Sequence, residues 1–196
     1  MYLRFGKRIF DFTVALIGLL ILLVPMGLLA IVIWVTSGRP ILFTQDRVGF
    51  RGKIFQIKKF RTMTVRKHQD SSITVAGDQR VTPIGRYLRR WKLDELPQLW
   101  NVLVGEMSLI GPRPDVPGYA DKLQGNACRL LVLRPGITGP ATLAYRNEEE
   151  ILANVSDPVR YNNEVIYPKK VQINLEYLDN CSFIKDLKYL LQTIFG

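Results

Sequence analysis

A chain of 196 residues can bury one modest core, so a single globular catalytic unit with a short appendage is expected rather than several domains. Its 27 Lys and Arg against 17 Asp and Glu give a formal charge of +10, which points to anionic partners: nucleic acid, an anionic membrane surface or phosphorylated substrates. Two distant cysteines, Cys128 and Cys181, and a single histidine, His68, cannot assemble a Cys/His zinc site of the usual kind. A Ser-His-Asp or Cys-His mechanism would have to rest on His68, which sits in a polar, loop-like stretch at 64–82 and reads as a surface residue.

Residues 12–35 carry no charge and are dominated by Leu, Ile, Val and Ala. As one helix they would extend about 36 Å, enough for a hydrocarbon core of about 30 Å. The run is too long for a secretory leader and has no small-residue cleavage site, so it is expected to stay in the protein. Arg4, Lys7 and Arg8 precede it, and Arg39, Arg47, Arg51 and Lys53 follow it, so both flanks favour the cytoplasmic side. Pro25 lies in the middle, where it removes a backbone donor and disfavours a straight helix by about 3 kcal/mol. A re-entrant helix-break-helix satisfies both observations; a Pro-kinked spanning helix is the other reading.

Alternating Ile and Phe at 41–43 and 53–60, with Arg47, Gly49 and Gly52 as a turn between them, predict a short β-hairpin. Helical spacing returns at Ile84, Tyr87, Leu88 and Trp91, with Arg86, Arg89, Arg90 and Lys92 on the remaining faces. Such a helix suits a membrane interface or the surface of the core. A second helix follows at Leu96, Leu99, Trp100 and Leu103, with Asp94, Glu95 and Pro97 at its start. Phe183, Leu187, Leu190, Leu191 and Ile194 predict a terminal amphipathic helix. The expected class is therefore α+β and mostly helical, with residues 1–40 in the membrane and a catalytic domain over 41–196.

Asp94 and Glu95 diverge as neighbours on a helix, so they are poorly placed to share one proton. They can divide labour instead, one as nucleophile and one as ligand of Mg²⁺, which takes hard oxygens and few protein carboxylates. A plain helix cap with a first-turn acid explains the same two residues. In Gly111-Pro112-Arg113-Pro114 the prolines fix their own φ and push Arg113 to an extended conformation, a guanidinium presented for bidentate phosphate binding or a solvated turn. Arg134-Pro135-Gly136-Ile137-Thr138-Gly139 offers a cation and a glycine-rich turn that would let backbone donors approach an anion.

In this order the motifs resemble the bacterial sugar transferases, the monotopic phosphoglycosyl transferases. The resemblance runs through FTQDRVG (43–49), KKFRTM (58–63), LDELPQLWNVLVGEMSLIGPRP (93–114), RPGITG (134–139) and DLKYLLQTI (186–194). It implies a re-entrant helix in one leaflet of the bacterial inner membrane, broken near Pro25, with the catalytic domain on the cytoplasmic face. It implies that Asp94 attacks the β-phosphate of a UDP-sugar, releasing UMP, and that polyprenyl phosphate resolves the covalent intermediate. Glu95 is then the Mg²⁺ ligand; Lys59, Arg89, Arg113 and Arg146 hold phosphates; Pro25, Pro112 and Pro114 shape the site. Val24-Pro25 stands where many members carry Ser-Pro, and residues 140–170, with the acidic Glu148-Glu149-Glu150, depart from the better-known small members. The partners implied are UDP-sugar, polyprenyl phosphate and the bilayer, without nucleic acid. A membrane-anchored binding protein would explain the charge and the apolar run, but not the coincidence of Asp-Glu, GPRP and RPGITG.

Overall fold

The computed structural model describes residues 2–64 and 78–195. His68 and most of the polar stretch expected to be a loop lie outside the described residues. The architecture is mostly helical with two small sheets, and it begins with α1, a 31-residue helix over Lys7–Ser37. At 1.5 Å per residue, α1 is about 46 Å long. It passes through Pro25 without dividing in two, so the expected break does not separate two helices. One proline removes a single donor, and the surrounding turns of an apolar helix keep theirs.

Polar contacts fasten α1 to the rest of the protein at both ends. At the start, Lys7 Nζ pairs with Asp186 at 2.5 Å, and the same buried carboxylate accepts from Tyr2 at 2.6 Å and Tyr177 at 2.5 Å. Next to Lys7, Arg8 donates to the carbonyls of Val102 and Leu103 at 2.5 and 2.7 Å, and one turn on Asp11 accepts from the Leu109 amide at 3.0 Å. At the far end Arg61 donates to the carbonyls of Ser37 and Gly38, and Ile33 is buried against Phe60 and Leu88. Between these anchors Leu20, Ile21, Leu23 and Val24 remain 68–69% exposed.

β1 (Leu42–Val48) and β2 (Ile54–Phe60) form the expected antiparallel hairpin, in register from Leu42 opposite Phe60 to Val48 opposite Ile54. Arg47 belongs to β1, opposite Phe55, and not to the turn. The turn is made by Gly49 to Lys53, with Arg51 and Gly52 at φ 55° and 75°. α2 (Pro83–Arg90) is capped by Thr82, whose hydroxyl accepts from the Gly85 amide at 3.0 Å. It buries Leu88 and leaves Tyr87 exposed, as is Trp91 just beyond its end. Lys92 takes a left-handed conformation, φ 55°, and turns the chain into a 3₁₀ segment at Leu93–Glu95. α3 (Gln98–Val104) starts only afterwards, with Pro97 at its cap position, so the simple capping role weighed for Asp94 and Glu95 does not apply.

The second sheet was not anticipated. β3 (Ser108–Ile110) and β4 (Gly136–Thr138) run parallel, joining the strand before GPRP to the RPGITG segment. Backbones approach closely here: Gly111 N donates to Thr138 O at 2.9 Å and Gly136 N to Pro112 O at 2.7 Å. A Cβ on Gly136 or Gly139 would collide with Gly111, so these glycines serve strand packing. The Gly136 amide is thereby spent inside the protein and is not offered to an anion. The helices α4 (Pro140–Ala144), α5 (Glu148–Ala153), α6 (Pro158–Tyr161), α7 (Tyr167–Asp179) and α8 (Phe183–Phe195) complete the chain. Phe55, Ile57, Val102, Met107, Ile110 and Tyr177 form the core between hairpin, α3, the parallel pair and α7.

Lys7 is 5% exposed and Asp186 is fully buried, so removing one charge strands the other in a medium that solvates it poorly. Asp186→Ala is expected to lower stability by about 3–5 kcal/mol. Thermal unfolding of the nanodisc-embedded protein checks this; a shift within error of wild type would remove the anchor from the account.

Candidate active site

Three separate segments converge on Glu95. Lys59 comes from the end of β2, Arg113 from the loop after β3, and Glu95 from the 3₁₀ turn that Lys92 introduces. Glu95 Oε1 accepts from Lys59 Nζ at 2.7 Å and from Arg113 Nη2 at 3.0 Å. Burial alone would raise this carboxyl, but the charges of Lys59 and Arg113 outweigh it and hold the group far below the usual carboxylate range. The Arg113 guanidinium gains in turn from Glu95, whereas burial pulls the Lys59 ammonium down despite the same partner.

Asp94, next in the chain, has the opposite environment. Its Oδ1 is buried and has no hydrogen-bond partner. Burial pushes its carboxyl up, Lys59 opposes, and the Glu95 charge adds to the rise. Two adjacent carboxylates whose affinities for the proton are driven apart are suited to different roles. Glu95 is kept as an anion by its two cations; Asp94 is buried with an unpartnered oxygen.

The remaining sequence candidates divide. Arg89 lies near enough for its charge to act on Asp94, and its Nη2 pairs with Glu149 of α5 at 2.9 Å. Arg146 donates to the Gln192 carbonyl of α8 at 3.1 Å and has no hydrogen bond to either carboxylate. Pro112 and Pro114 flank Arg113, and their carbonyls are used: Pro112 accepts from Gly136 N, and Pro114 from Arg47 Nη1 at 3.0 Å. Pro25 is exposed on α1, well removed in sequence from the carboxylates and not bonded to them.

Several residues of the site were missed. Arg47 spans Pro114 O and Gln45 Oε1, and burial together with the Arg113 charge brings its guanidinium down to about 10. Its place in FTQDRVG was the only sequence signal. Asn101, fully buried, accepts from Lys58 N at 3.1 Å and donates to Gln56 O at 2.8 Å and Glu106 at 2.7 Å. It thereby locks β2, and with it Lys59, onto α3. Asp115, two residues past Arg113, accepts from Tyr167 at 3.3 Å, and burial pushes its carboxyl up to about 6. Among the described residues no three His, Cys, Asp or Glu side chains cluster as a metal cage.

Comparison with known proteins covers this whole arrangement. Residues 2–196 match the family described as bacterial sugar transferase. The chain belongs to the bacterial sugar transferase family. It is 37% identical to the sugar transferase EpsL of Bacillus subtilis (strain 168), over 96% of this chain and 85% of that protein. It is 38% identical to a UDP-glucose:undecaprenyl-phosphate glucose-1-phosphate transferase of Caulobacter vibrioides, over 96% of this chain and 68% of that protein. The Escherichia coli (strain K12) transferase of the same name is 36% identical over 98% of this chain, which spans only 40% of that longer protein. In this sugar transferase the family match therefore includes both carboxylates and every cation described above.

Asp115 supplies a pH test of the site's burial. Its folded carboxyl keeps the proton up to about pH 6, whereas an unfolded Asp releases it near pH 4. The folded state binds more protons across that window, so stability falls as pH rises through it. Asp115→Asn is expected to leave stability near pH 4 unchanged and to raise it by about 1–2 kcal/mol at pH 7.5. Thermal unfolding at the two pH values checks this, and an equal effect at both would remove the titration of Asp115 as its cause.

Proposed function

We propose that this sugar transferase moves a sugar-1-phosphate from a UDP-sugar to undecaprenyl or a similar polyprenyl phosphate, through a covalent phosphosugar on Asp94. The activities for which the Caulobacter and Escherichia relatives are named support the overall transfer. The observation that carries the mechanism is the buried, unpartnered Oδ1 of Asp94 beside a Glu95 already neutralised by Lys59 and Arg113. In the first step a carboxylate oxygen of Asp94 bonds to the β-phosphorus, and the bond from that phosphorus to the bridging oxygen breaks. UMP leaves with the electron pair. In the second step an oxygen of polyprenyl phosphate attacks the same phosphorus and the Asp94 carboxylate departs, giving the diphosphate-linked sugar.

An anionic nucleophile approaching an anionic diphosphate is repelled unless fixed cations offset the charge. Arg113 and Lys59 are already in place for this. Arg89 is held by a half-exposed Glu149, an ion pair of about 0–1 kcal/mol that a substrate phosphate readily replaces. Arg146, engaged at α8, is left outside the proposed step. Glu95 fits the role of a Mg²⁺ ligand: both of its cations fall on Oε1, leaving its second oxygen for a hard ion that takes its other ligands from phosphate and water. When bound, such an ion would withdraw charge from the transferring phosphoryl group.

The same reading places residues 1–40 in one leaflet and 41–196 at its cytoplasmic surface. It is supported by the attachment of both ends of α1 to one body, because a crossing helix would carry one end to the opposite side of the bilayer. The exposed middle of α1 then meets lipid, together with Tyr87, Trp91, Ile184 and Phe195.

Two experiments test these readings. Protein given Mg²⁺ and UDP-sugar without acceptor is expected to release up to about one equivalent of UMP and to retain the sugar-phosphate on Asp94; polyprenyl phosphate then discharges it. Asp94→Asn abolishes labelling in a folded protein. An active enzyme that needs both substrates before any UMP appears would exclude the two-step course. For topology, single cysteines at positions 2 and 40 in sealed vesicles are expected to react only from the cytoplasmic side, and labelling of the two from opposite sides sinks the one-leaflet arrangement.

A further inference from the structure

Among the buried polar atoms of the described residues that have no hydrogen-bond partner, two lie one helical turn apart in the chain: Asp94 Oδ1 and Gln98 Nε2. One is an acceptor and the other a donor. Gln98 is 2% exposed, and its Nε2 is sealed from solvent. A buried donor and a buried acceptor each cost free energy while unpaired, and one hydrogen bond between them removes both costs.

The backbone brings the two side chains to one face. From the 3₁₀ turn at Leu93–Glu95 the chain stays helical through Leu96 and Pro97, both with right-handed helical φ and ψ, into α3. Side chains four residues apart on such a stretch are neighbours, and Gln with Asp at this spacing forms a stabilising hydrogen bond. The cations around Asp94 are engaged elsewhere: Lys59 and Arg113 on Glu95, at 2.7 and 3.0 Å, and Arg89 on Glu149 at 2.9 Å. Asn101, the next buried amide on α3, donates to Gln56 O and Glu106. Gln98 Nε2 is thus the uncommitted buried donor on the same helical stretch as Asp94.

We propose that Gln98 is a positioning residue: in the reacting complex its Nε2 donates to Asp94 Oδ1, and Oδ2 is left to bond the phosphorus. The assignment rests on the covalent reading of Asp94 above and says which carboxylate oxygen reacts. Of the two, only Oδ1 is both sealed and unpartnered, so it is the one that a phosphate arriving from outside does not reach. The two atoms are unpaired in the free protein, and a bond of this kind tightens when substrate is in place. In the first step Oδ2 joins the β-phosphorus, UMP departs with the bridging oxygen and its electron pair, and Oδ1 becomes the carbonyl oxygen of an acyl phosphate. The Gln98 bond contributes orientation there. In the second step an oxygen of polyprenyl phosphate bonds the phosphorus, the Oδ2–P bond breaks, and its electron pair returns to the carboxylate, where Oδ1 shares the charge. A hydrogen bond to a charged oxygen is roughly twice as strong as one to a neutral oxygen. The Gln98 bond therefore strengthens as the intermediate is discharged, and its loss is felt most in that step.

The test uses the whole protein in nanodiscs and a UDP-hexose labelled in its β-phosphate, the one from a panel that gives wild type its fastest UMP release. Adduct formed without acceptor is counted, and its discharge by undecaprenyl phosphate is then timed. Gln98→Met, close in shape but without the donor, is expected to form nearly as much adduct as wild type, with KM for the UDP-hexose within about twofold. Its discharge should be about tenfold slower, so that adduct accumulates during turnover. Gln98→Asn, which keeps the amide on a side chain one methylene shorter, should show the same slow discharge and stands in if the Met variant does not fold. Discharge by the folded variant within about twofold of wild type would overturn the proposal and leave the covalent course standing. So would equal slowing of adduct formation and discharge, which a loss of packing alone produces. A wild type that releases UMP only with acceptor present, and carries no adduct, would instead defeat the covalent reading and this one with it.

Discussion

The fastening of α1 to one body by buried polar contacts is the constraint on which the rest depends. A helix this apolar has no reason in water to present Lys7, Arg8 and Asp11 to a protein interior, and each costs free energy to bury. Each is matched instead: Lys7 by Asp186, Arg8 by two carbonyls at the end of α3, Asp11 by the Leu109 amide at β3. The partners of Arg8 and Asp11 lie on elements next to the site, since α3 follows the Asp94–Glu95 turn and β3 precedes Arg113, while Asp186 holds the start of α1 to α8. The height of the carboxylates above the apolar face of α1 is thereby set by charge pairing rather than by hydrophobic contact, which is non-directional and would let the helix slide.

The site itself repeats that logic on a smaller scale. Glu95 is surrounded so that it cannot lose its charge, and its two cations come from elements far apart in sequence. Asn101 fixes one of those elements and Arg47 the other, through β2 and the Pro114 carbonyl respectively. What these bonds contribute is position. A phosphoryl-transfer site performs little covalent chemistry beyond its nucleophile, so groups that are already oriented when substrate arrives account for most of the barrier lowered.

Much of this was legible from sequence where a period or a stiff dipeptide left a mark. The hairpin announced itself by alternating Ile and Phe, α8 by its apolar stripe, and the Arg113 loop by two prolines. β3 and β4 are three residues each, too short to show alternation, and their parallel pairing joins residues distant in the chain. The glycines of RPGITG look alike from sequence whether they admit an anion or another backbone; only the approach of Gly111 decides for the backbone. Pro25 was read as a break because its cost is local, while the contacts of Met26, Leu29 and Ile33 that keep the helix running against Phe60 and Leu88 are tertiary. Asp186 gave no sign of its role, since a lone acid in an amphipathic helix ordinarily faces water.

The acidic run at the start of α5 shows why position and stability are separate matters here. Glu148 pairs with Lys170 beside the cavity that Arg113 lines, and Glu149 pairs with Arg89 near Asp94, so one short helix reaches two cations on different sides of the site. The Arg89–Glu149 pair, whose acid is half-exposed, contributes about 0–1 kcal/mol, far below the cost of breaking the buried Lys7–Asp186 pair. It holds Arg89 in orientation without binding it so firmly that a phosphate could not displace the carboxylate. Residues 148–170 thus meet the site through Glu148–Lys170 and Glu149–Arg89 pairs at its edge, while Glu95 is held by the more buried Lys59 and by Arg113.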